Sequence, residues 1–463
     1  MKYTATFLEA DYESLKHHLT SRPGVEQAAY LICRPVRTPA ETRLLVREVI
    51  PVEDERILSA SAVHMSIDST SFTRAMKRAD DARSCLLFVH SHPSGYPTHS
   101  PQDDAEERKF FRSAYIRIRT AGVHGSLVFC DGDISAARVW LETGEVAPIE
   151  RIRIIGDRFR FLFPSSPADA APPPFFDRQI RAFGPEIQRV LGKLTVGVVG
   201  AGGTGSCVSE QLLRLGVGHL VTADGDVFDP SNVNRVYSSR VVDAGLPKVK
   251  LIERLAADIG LGTKITVIPK SITFRDAIEQ LRECDILFGC TDDEWGRSLL
   301  TKFAVYYSIP VFDMGVKIDS DEGIISAIQG RVTTLLPGVA CLNCRGRLSA
   351  ERIRAESLWA LDPDGAKELE REGYIPKLGT RAPAIVPFTS MVASSAVAEL
   401  LHRLTGYLGA DRQSSEVIHL FDDTRLRTNS AAPRPECFCG DRNRWNRGDA
   451  EPLLDLVWRA DRP

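Results

Sequence analysis

A glycine-rich turn between an apolar run and an amphipathic stretch is the first feature of this sequence that could do chemistry. Residues 194–199 predict a buried parallel strand, and residues 206–215 carry apolar side chains at helical spacing. The turn contains four glycines, Gly200, Gly202, Gly203 and Gly205. Glycines let the backbone approach a phosphate closely, and the positive end of the next helix favours the anion. Asp224, expected at the tip of the next strand, can accept from a ribose hydroxyl, so the pattern indicates a nucleotide.

Four further motifs follow in order: Asp224-Gly-Asp226, Ser231-Asn-Val-Asn-Arg235, Pro247-Lys248 and Cys290-Thr-Asp-Asp293. With the glycine turn, they resemble the ThiF-type adenylyltransferases over roughly residues 176–440. These ubiquitin-activating-enzyme-like proteins adenylate the C-terminus of a ubiquitin-like or sulfur-carrier protein. Strand and helix patterns also alternate from Phe175 onward, which predicts an α/β, Rossmann-like doubly wound parallel sheet.

Adenylation requires that a triphosphate be held, that its charge be neutralised, and that its α-phosphorus face the incoming carboxylate. The resemblance implies roles for five residues beyond the glycines: ribose binding for Asp224, phosphate contact for Asn232 and Arg235, charge neutralisation for Lys248, and Mg²⁺ binding for Asp292. Asp226 and Asp293 are the alternative carboxylates.

An arginine upstream of the glycine turn resembles a family residue that acts across a dimer. The segment Phe176-Asp-Arg-Gln-Ile180 is similar to the family's R-Q-I segment, whose arginine reaches the ATP of the other protomer. Arg178 matches that arginine, and Arg181 is the alternative. The resemblance therefore implies a homodimer.

A second group of reactive side chains lies in the first third of the chain. His90-Ser-His92-Pro93 follows the apolar run 86–89, and Ser100 and Asp103 complete the pattern H-x-H-P-x6-S-x-x-D. Two histidines two residues apart at a strand end point to the same side, and Asp103 at the next helix start can add a carboxylate. Two histidines, one aspartate and a water make a catalytic zinc arrangement, in which the water's pKa falls to about 7.

This pattern resembles the JAMM (JAB/MPN) metalloproteases, which cleave isopeptide or peptide bonds after ubiquitin-like C-termini. The resemblance covers roughly residues 1–160 and implies a mixed α/β domain of the JAB/MPN type. In that family a glutamate from an earlier segment is the general acid/base, which points to Glu26, with Glu48 as the alternative. Ser100 would donate a hydrogen bond to the developing oxyanion.

The cysteines predict a second, structural zinc site. Cys341-x-x-Cys344 and Cys437-x-Cys439 are two close pairs, and four thiolates make a closed tetrahedral site. The other six cysteines are scattered, which is typical of reduced thiols rather than a disulfide framework. Family members that form a thioester or persulfide often carry a cysteine in a crossover loop. Here Gly379 or Thr380 stands in that place, so we expect adenylation without a crossover-loop thioester.

Length and composition bound the organisation of the 463-residue chain. A net charge of -3 argues against a nucleic-acid partner. No apolar run approaches membrane-spanning length, and the charged N-terminus lacks the apolar core of a signal peptide. We therefore expect a cytoplasmic protein. In the N-terminal part, residues 28–33, 43–50, 85–89 and 126–130 are strand-like and residues 71–83 and 103–119 helix-like. We predict a metalloprotease domain over 1–163, a proline-rich linker over 164–175 and an adenylyltransferase domain over 176–463.

The two motif sets together predict a bifunctional enzyme that uses ATP, Mg²⁺ and two zinc ions. The protease would cleave after a ubiquitin-like C-terminus, and the second domain would adenylate the freed C-terminal glycine for conjugation, with a conjugating enzyme as a further candidate partner. One alternative is sulfur-carrier processing and adenylation in cofactor or amino-acid biosynthesis, and another is a peptide-nucleotidylating enzyme. A binding module with two inert sites is a different class, and the intact side chains of both motif sets argue against it.

Overall fold

The computed structural model describes residues 1–119, 122–164, 172–378, 383–409, 412 and 414–456. The chain divides into two compact units. The first contains Met1–Ala170 with Asn446–Asp449, and the second contains Ala171–Trp445 with Ala450–Pro463. Residues 165–171 of the predicted linker, and the crossover-loop positions Gly379 and Thr380, lie outside the described residues.

The described part of the first unit has ten strands and three helices. They are β1 (Lys2–Leu8), α1 (Glu9–Leu19), β2 (Ala28–Arg37), β3 (Glu41–Pro51), β4 (Ile57–Ala60), β5 (Met65–Ile67), α2 (Ser69–Asp81), β6 (Cys85–Ser91), α3 (Pro101–Arg117), β7 (His124–Cys130), β8 (Asp133–Trp140), β9 (Val146–Ile155) and β10 (Phe159–Leu162).

Eight of these strands form one mixed sheet in the order β1-β3-β2-β6-β7-β8-β9-β10. Strand β1 also pairs with β9, so the sheet closes on itself and leaves β4 and β5 as a separate pair. The helix and strand segments expected from the sequence coincide with β2, β3, β6, β7, α2 and α3. The mixed α/β class is therefore confirmed for this unit, while the sequence analysis singled out none of the three closing strands β8, β9 and β10.

The described part of the second unit has eight strands and nine helices. They are α4 (Asp177–Phe183), α5 (Pro185–Lys193), β11 (Thr195–Val199), α6 (Gly203–Arg214), β12 (His219–Ala223), α7 (Lys248–Ile259), β13 (Lys264–Ile268), α8 (Arg275–Leu281), β14 (Ile286–Gly289), α9 (Glu294–Tyr306), β15 (Val311–Asp321), β16 (Ile324–Leu335), α10 (Ala350–Leu361), α11 (Pro363–Arg371), α12 (Val386–Thr405), β17 (Glu416–Leu420) and β18 (Arg425–Asn429).

The sheet of the second unit has the order β13-β12-β11-β14-β15-β16-β17-β18. Its first five strands are parallel, as the sequence predicted, but β15 to β18 pair antiparallel. The switch occurs because Glu322 and Gly323, with φ of 45° and 85°, join β15 to β16. Two consecutive residues with positive φ make the tight turn of a hairpin, whereas a parallel partner would need a crossover helix.

A short segment from far along the chain completes the first unit. Asn446 is buried, and its Nδ2 donates to the carbonyl of Val46 at 2.8 Å. A Cβ on Gly448 would lie 2.7 Å from Cγ2 of Val36, so this segment packs too closely for a larger residue there. The boundaries predicted from the sequence, with the first domain ending at residue 163, did not include this segment.

Among the described residues, no helix has the length and apolar character needed to cross a membrane.

Candidate metal and nucleotide sites

The predicted zinc ligands lie together at one end of β6. The two histidine Nε2 atoms are 3.0 Å apart. Asp103 places Oδ1 3.3 Å from Nε2 of His90 and Oδ2 3.5 Å from Nε2 of His92. Two nitrogens and one carboxylate thus converge. The donor set fits a zinc ion held by His90, His92 and Asp103.

The start of α3 positions Asp103. Ser100 caps this helix, since its Oγ accepts from the backbone N–H of Asp103 at 3.2 Å. Oδ2 of Asp103 accepts in return from the backbone N–H of Ser100 at 2.6 Å. Burial opposes ionisation of Asp103, but hydrogen bonds from His90 and His92 outweigh it and hold the pKa of this carboxyl well below its usual range. Ser100 therefore has a structural role in addition to the predicted oxyanion contact.

The orientation of His92 is set by a residue that the sequence analysis did not single out. Nδ1 of His92 lies 2.8 Å from the carbonyl oxygen of Tyr96. A carbonyl only accepts, so Nδ1 carries a proton, and in the neutral ring Nε2 is then the nitrogen available to bind a metal. Such an outer hydrogen bond is the usual support of a metal-binding histidine. Sequence gives no signal for it because the acceptor is a backbone atom.

Of the two candidate bases, Glu26 lies at the metal site and Glu48 does not. Ala28 is opposite His90 in the β2–β6 ladder, and the backbone N–H of Ser91 donates to the carbonyl of Gln27 at 2.9 Å. This pairing carries the preceding residue, Glu26, toward His92. Burial raises the pKa of the Glu26 carboxyl, and the neighbouring His90 and His92 act in the opposite direction.

Glu48, by contrast, is engaged on β3. Its Oε2 accepts from Nε of Arg78 at 2.8 Å, and this ion pair is substantially exposed. The geometry therefore favours Glu26 as the group that could exchange a proton at the metal site.

The glycine turn of the second unit leaves no room for a side chain at two of its positions. Gly200 has φ of 98°, and a Cβ there would lie 2.6 Å from the carbonyl oxygen of Cys290. A Cβ on Gly205 would lie 1.7 Å from the carbonyl oxygen of Gly200. Only glycine fits these two positions, and Gly202 and Gly203 begin α6, so the bare backbone meets the positive end of a buried helix.

Asp224 directly follows β12, as predicted, and holds the glycine turn. Its Oδ2 accepts from the backbone N–H of Ala201 at 2.6 Å, and its Oδ1 accepts from that of Asp226 at 2.7 Å. Burial raises the pKa of the Asp224 carboxyl above its usual value.

Lys248 is the first residue of α7, and its side chain is only 7% exposed. Nζ of Lys248 donates to Oδ2 of Asp226 at 2.7 Å, so the alternative carboxylate Asp226 is already engaged by the lysine.

Asn232 is buried in a short 3₁₀ turn. Arg235 donates from Nη1 to the carbonyl of Ser231 at 2.9 Å, and a Cβ on Gly203 would lie 3.3 Å from its Cγ. The S-N-x-N-R segment therefore packs against the start of α6.

The two candidate Mg²⁺ carboxylates at the end of β14 differ in their surroundings. Asp293 is the N-cap of α9 and accepts from the backbone N–H of Gly296 and from the hydroxyl of Thr291. Asp292 is exposed. The cap role of Asp293 leaves Asp292 as the better placed metal ligand.

Upstream, the two candidate arginines also differ. Both arginines are exposed on α4, but Arg181 forms a 2.9 Å ion pair with Asp177 one turn away. This ion pair engages the guanidinium of Arg181, so Arg178 suits a contact with a second protomer better.

A buried ion cluster beside the end of β14 was not found from the sequence. Asp313 on β15 is opposite Gly289 and is fully buried. It accepts from Nε and Nη2 of Arg297 at 2.9 Å each, and from Nη1 of Arg331 at 2.7 Å. These bonds tie α9 to the sheet next to Asp292. The three residues are distant in sequence, so no local pattern predicts their contact.

The four cysteines of the two close pairs meet in one cluster. Sγ of Cys341 lies 3.6 Å from that of Cys437, and Sγ of Cys344 lies 3.6 Å from that of Cys439. A tetrahedral zinc with bonds of about 2.3 Å sets its sulfurs about 3.8 Å apart. A hydrogen bond from Cys439 lowers the pKa of the Cys341 thiol to about 5. The donor set and spacing fit a structural zinc.

The ThiF family model matches residues 176–440, more than half of the chain and wholly within the second unit. The chain belongs to the ThiF family. The predicted ThiF-type, Rossmann-like adenylation domain is thereby confirmed as a fold and family assignment. The match does not extend to the first unit, where the resemblance to JAMM metalloproteases stays a prediction.

Three curated relatives illustrate the family. The chain is 29% identical over 164 residues to the sulfur carrier protein ThiS adenylyltransferase of Bacillus subtilis, covering 35% of this chain and 46% of the relative. It is 29% identical over 161 residues to the SAMP-activating enzyme E1 of Haloferax volcanii, covering 35% and 56%. It is 27% identical over 277 residues to ubiquitin-like modifier-activating enzyme 5 of Aedes aegypti, covering 56% and 62%. The chain thus matches about half the length of these relatives.

Among solved structures, Escherichia coli MccB with ATP superimposes with a TM-score of 0.45 at 16% identity, covering 59% of this chain and 76% of the other. At this level the similarity supports no functional comparison.

Proposed function

We propose that the second unit adenylates the C-terminal carboxylate of a ubiquitin-like or sulfur-carrier protein with ATP. The observation that carries the proposal is the bare glycine turn at the start of α6, with Asp224 bound beneath it and the buried Lys248 in the same strand-end region. The names of the relatives support the choice of partner, since two act on a carrier or modifier protein by name.

In this proposal the chain's own groups bind and orient ATP. The turn amides and the α6 N-terminus hold phosphate oxygens, and the Asp224 carboxylate accepts from a ribose hydroxyl. Lys248 exchanges Asp226 for the phosphates, and Arg235 adds a second positive charge. Asp292 would hold Mg²⁺, which neutralises phosphate charge when bound. A carboxylate oxygen of the partner then attacks the α-phosphorus, the bond from that phosphorus to the bridging oxygen breaks, and pyrophosphate leaves with the electron pair.

Arg178 would complete the site of a second protomer, which makes a homodimer part of the proposal. Exposure of this arginine on α4 supports the idea, because its guanidinium is accessible to another chain.

We further propose that the first unit is a zinc-dependent peptidase that cleaves after the C-terminus of the same partner. The convergence of His90, His92 and Asp103 beside the buried Glu26 supports it. A zinc ion held there would lower the pKa of a ligated water to about 7. Glu26 would take the proton from the attacking water and pass it to the leaving amine, and Ser100 would donate to the developing oxyanion.

The decisive experiment for the second unit is ATP–pyrophosphate exchange with the purified full chain. Exchange that depends on a ubiquitin-like protein ending in glycine supports the proposal, and a partner truncated by its last glycine is the matched control. Exchange with a short peptide alone would favour the peptide-nucleotidylating alternative. No exchange with any carboxylate partner would leave an inert binding module.

The first unit is tested with a fusion of the same partner to a reporter protein. Cleavage directly after the glycine, lost with a chelator and restored by zinc, supports the peptidase. Intact fusion with zinc bound at the histidine site would contradict it.

A further inference from the structure

A buried polar network lies on the face of the first-unit sheet that carries His90. At its centre is Glu107 of α3, which is 4% exposed. Its Oε2 accepts from Oγ of Ser126 at 2.6 Å, from Nε and Nη2 of Arg138 at 3.0 and 2.7 Å, and from Nε1 of Trp140 at 2.8 Å. One carboxylate oxygen is therefore saturated, while the other faces elsewhere.

Two atoms near this network are buried and have no hydrogen-bond partner among the described residues. One is Oε1 of Glu107, which can only accept, and the other is Nδ1 of His90. With Nε2 of His90 directed at Asp103, the neutral ring must carry its proton on Nδ1 to offer Nε2 to a metal. A donor and an acceptor are thus both left unsatisfied in a buried region, which is unfavourable unless a further group satisfies them.

The fold places these two atoms on the same side of the sheet. Phe88 is opposite Ser126 and His90 is opposite Val128 in the parallel β6–β7 ladder, so the side chains of His90 and Ser126 share a face. Asp103 and Glu107 are four residues apart on α3 and share one helix face, about one turn apart. Asp103 meets His90 at Nε2, and Glu107 lies one turn further along.

His99 lies near both His90 and Glu107. Its ring centroid is 6.4 Å from that of His90, and its Nε2 is 3.9 Å from Oε1 of Glu107 and 3.0 Å from Oγ of Ser126. A water between His90 and Glu107 would have at least two strong polar partners, which is what an ordered buried water requires.

We propose that Glu107 is a positioning residue for the metal site: the Nδ1–H of His90 donates to one buried water, and that water donates to Oε1 of Glu107. This bridge holds the ring in the tautomer that presents Nε2 to the metal, as Tyr96 does for His92. Outer-shell carboxylates of this kind change metal affinity by about 10–100-fold. The inference rests on the proposed zinc site but not on the proposed peptidase activity.

The competing explanation is that the Glu107 network only stabilises the fold by joining α3 to β7 and β8. That explanation accounts for the four donors on Oε2 but not for the buried acceptor Oε1, which has no hydrogen-bond partner among the described residues. It predicts that substitution at Glu107 lowers the melting temperature without changing zinc affinity.

The test uses the full chain loaded with zinc and compares Glu107→Gln with Glu106→Gln. Glu106 is the exposed neighbour that pairs with Lys109, so it is a matched control for the loss of one negative charge on α3. We expect Glu107→Gln to weaken zinc binding at the histidine site by about 10–100-fold in a chelator competition, with the cysteine site unchanged as an internal reference. Glu106→Gln should bind zinc like the original chain.

Equal zinc affinity in Glu107→Gln and Glu106→Gln would overturn the inference, whatever happens to the melting temperature. If Glu107→Gln does not fold, a crystal structure of the zinc-loaded original chain decides instead. A water within about 3.2 Å of both Nδ1 of His90 and Oε1 of Glu107 supports the inference, and no such route between them overturns it. A chain that binds zinc this way yet cleaves nothing would contradict the peptidase alone.

Discussion

The candidate metal site of the first unit and the candidate nucleotide site of the second are built from different parts of the chain. The metal site brings together three side chains from residues 90–103, and these side chains touch one another. The nucleotide site uses mainly backbone, presented by segments that follow β11, β12 and β14. The proposed metal site therefore depends on the geometry of a few side chains, whereas the proposed nucleotide site depends on the topology of the parallel sheet.

The two sites also differ in how their charges are held. His90, His92 and Asp103 share hydrogen bonds, so a metal would replace bonds among its own ligands. Lys248 is held by the carboxylate of Asp226, and Asp224 is held by loop amides. ATP would therefore compete with the Lys248–Asp226 ion pair. We therefore expect substitutions at the candidate metal site to act through proton transfer, and substitutions at the candidate nucleotide site to act through loss of charge.

The largest effect is expected at the first site. Glu26→Gln keeps the size of the side chain but removes the proton acceptor, so cleavage of a partner fusion should fall by about 10²–10⁴-fold while zinc stays bound. Glu48→Gln is the matched control, because Glu48 pairs with Arg78 instead. Cleavage rate and zinc content are measured on the same samples. If Glu48→Gln loses activity and Glu26→Gln keeps it, the assignment of the base is wrong.

In the second site, Lys248→Ala should reduce ATP–pyrophosphate exchange by about 100-fold or more, because a buried positive charge next to the phosphates is lost. Asp292→Ala should do the same through loss of Mg²⁺. Lys250→Ala is the control on the same helix, where an exposed lysine pairs with Glu253. Exchange that survives Lys248→Ala but not Lys250→Ala would place the nucleotide elsewhere.

Much of both sites could be predicted because their residues lie in short, ordered motifs. The spacing of His90, His92 and Asp103 requires only a strand end and the next helix start, and both formed where expected. Asp224 at the tip of β12 follows from the same reasoning. The resemblance then chose between Glu26 and Glu48, a choice that the geometry also favours.

The remainder depends on contacts between distant residues, for which one sequence holds no signal. Asp313 meets Arg297 and Arg331 only because β14, β15 and β16 are neighbours. The antiparallel half of the second sheet follows from the positive φ of Glu322 and Gly323, and a Glu-Gly pair is a weak predictor of that turn. The return of residues 446–449 to the first unit has no sequence signal at all.

That returning segment gives a smaller, structural test of how separate the two units are. Asn446→Ala removes a buried hydrogen bond to the Val46 carbonyl, so the free energy of unfolding of the first unit should fall by about 1–2 kcal/mol. Denaturant unfolding, followed by a probe in each unit, measures it, with the exposed Asn443→Ala as control. A fragment of residues 1–163 as stable as the first unit in the full chain would show that the segment contributes nothing.

The smallest effect is expected for the cysteine that lies nearest the glycine turn. Cys290 follows β14, and burial raises the pKa of its thiol well above the usual value, so little of it is the nucleophilic thiolate near neutral pH. Adenylation itself needs no thiol, because the partner's carboxylate attacks the phosphorus directly. Cys290→Ala should therefore leave pyrophosphate exchange within about twofold of the original rate, and Cys207→Ala on α6 serves as its control. The stricter measurement is a non-reducing gel of enzyme, partner and ATP, on which we expect no thiol-sensitive conjugate. A conjugate that disappears in Cys290→Ala would show that the nucleotide site, like the metal site, relies on a reactive side chain.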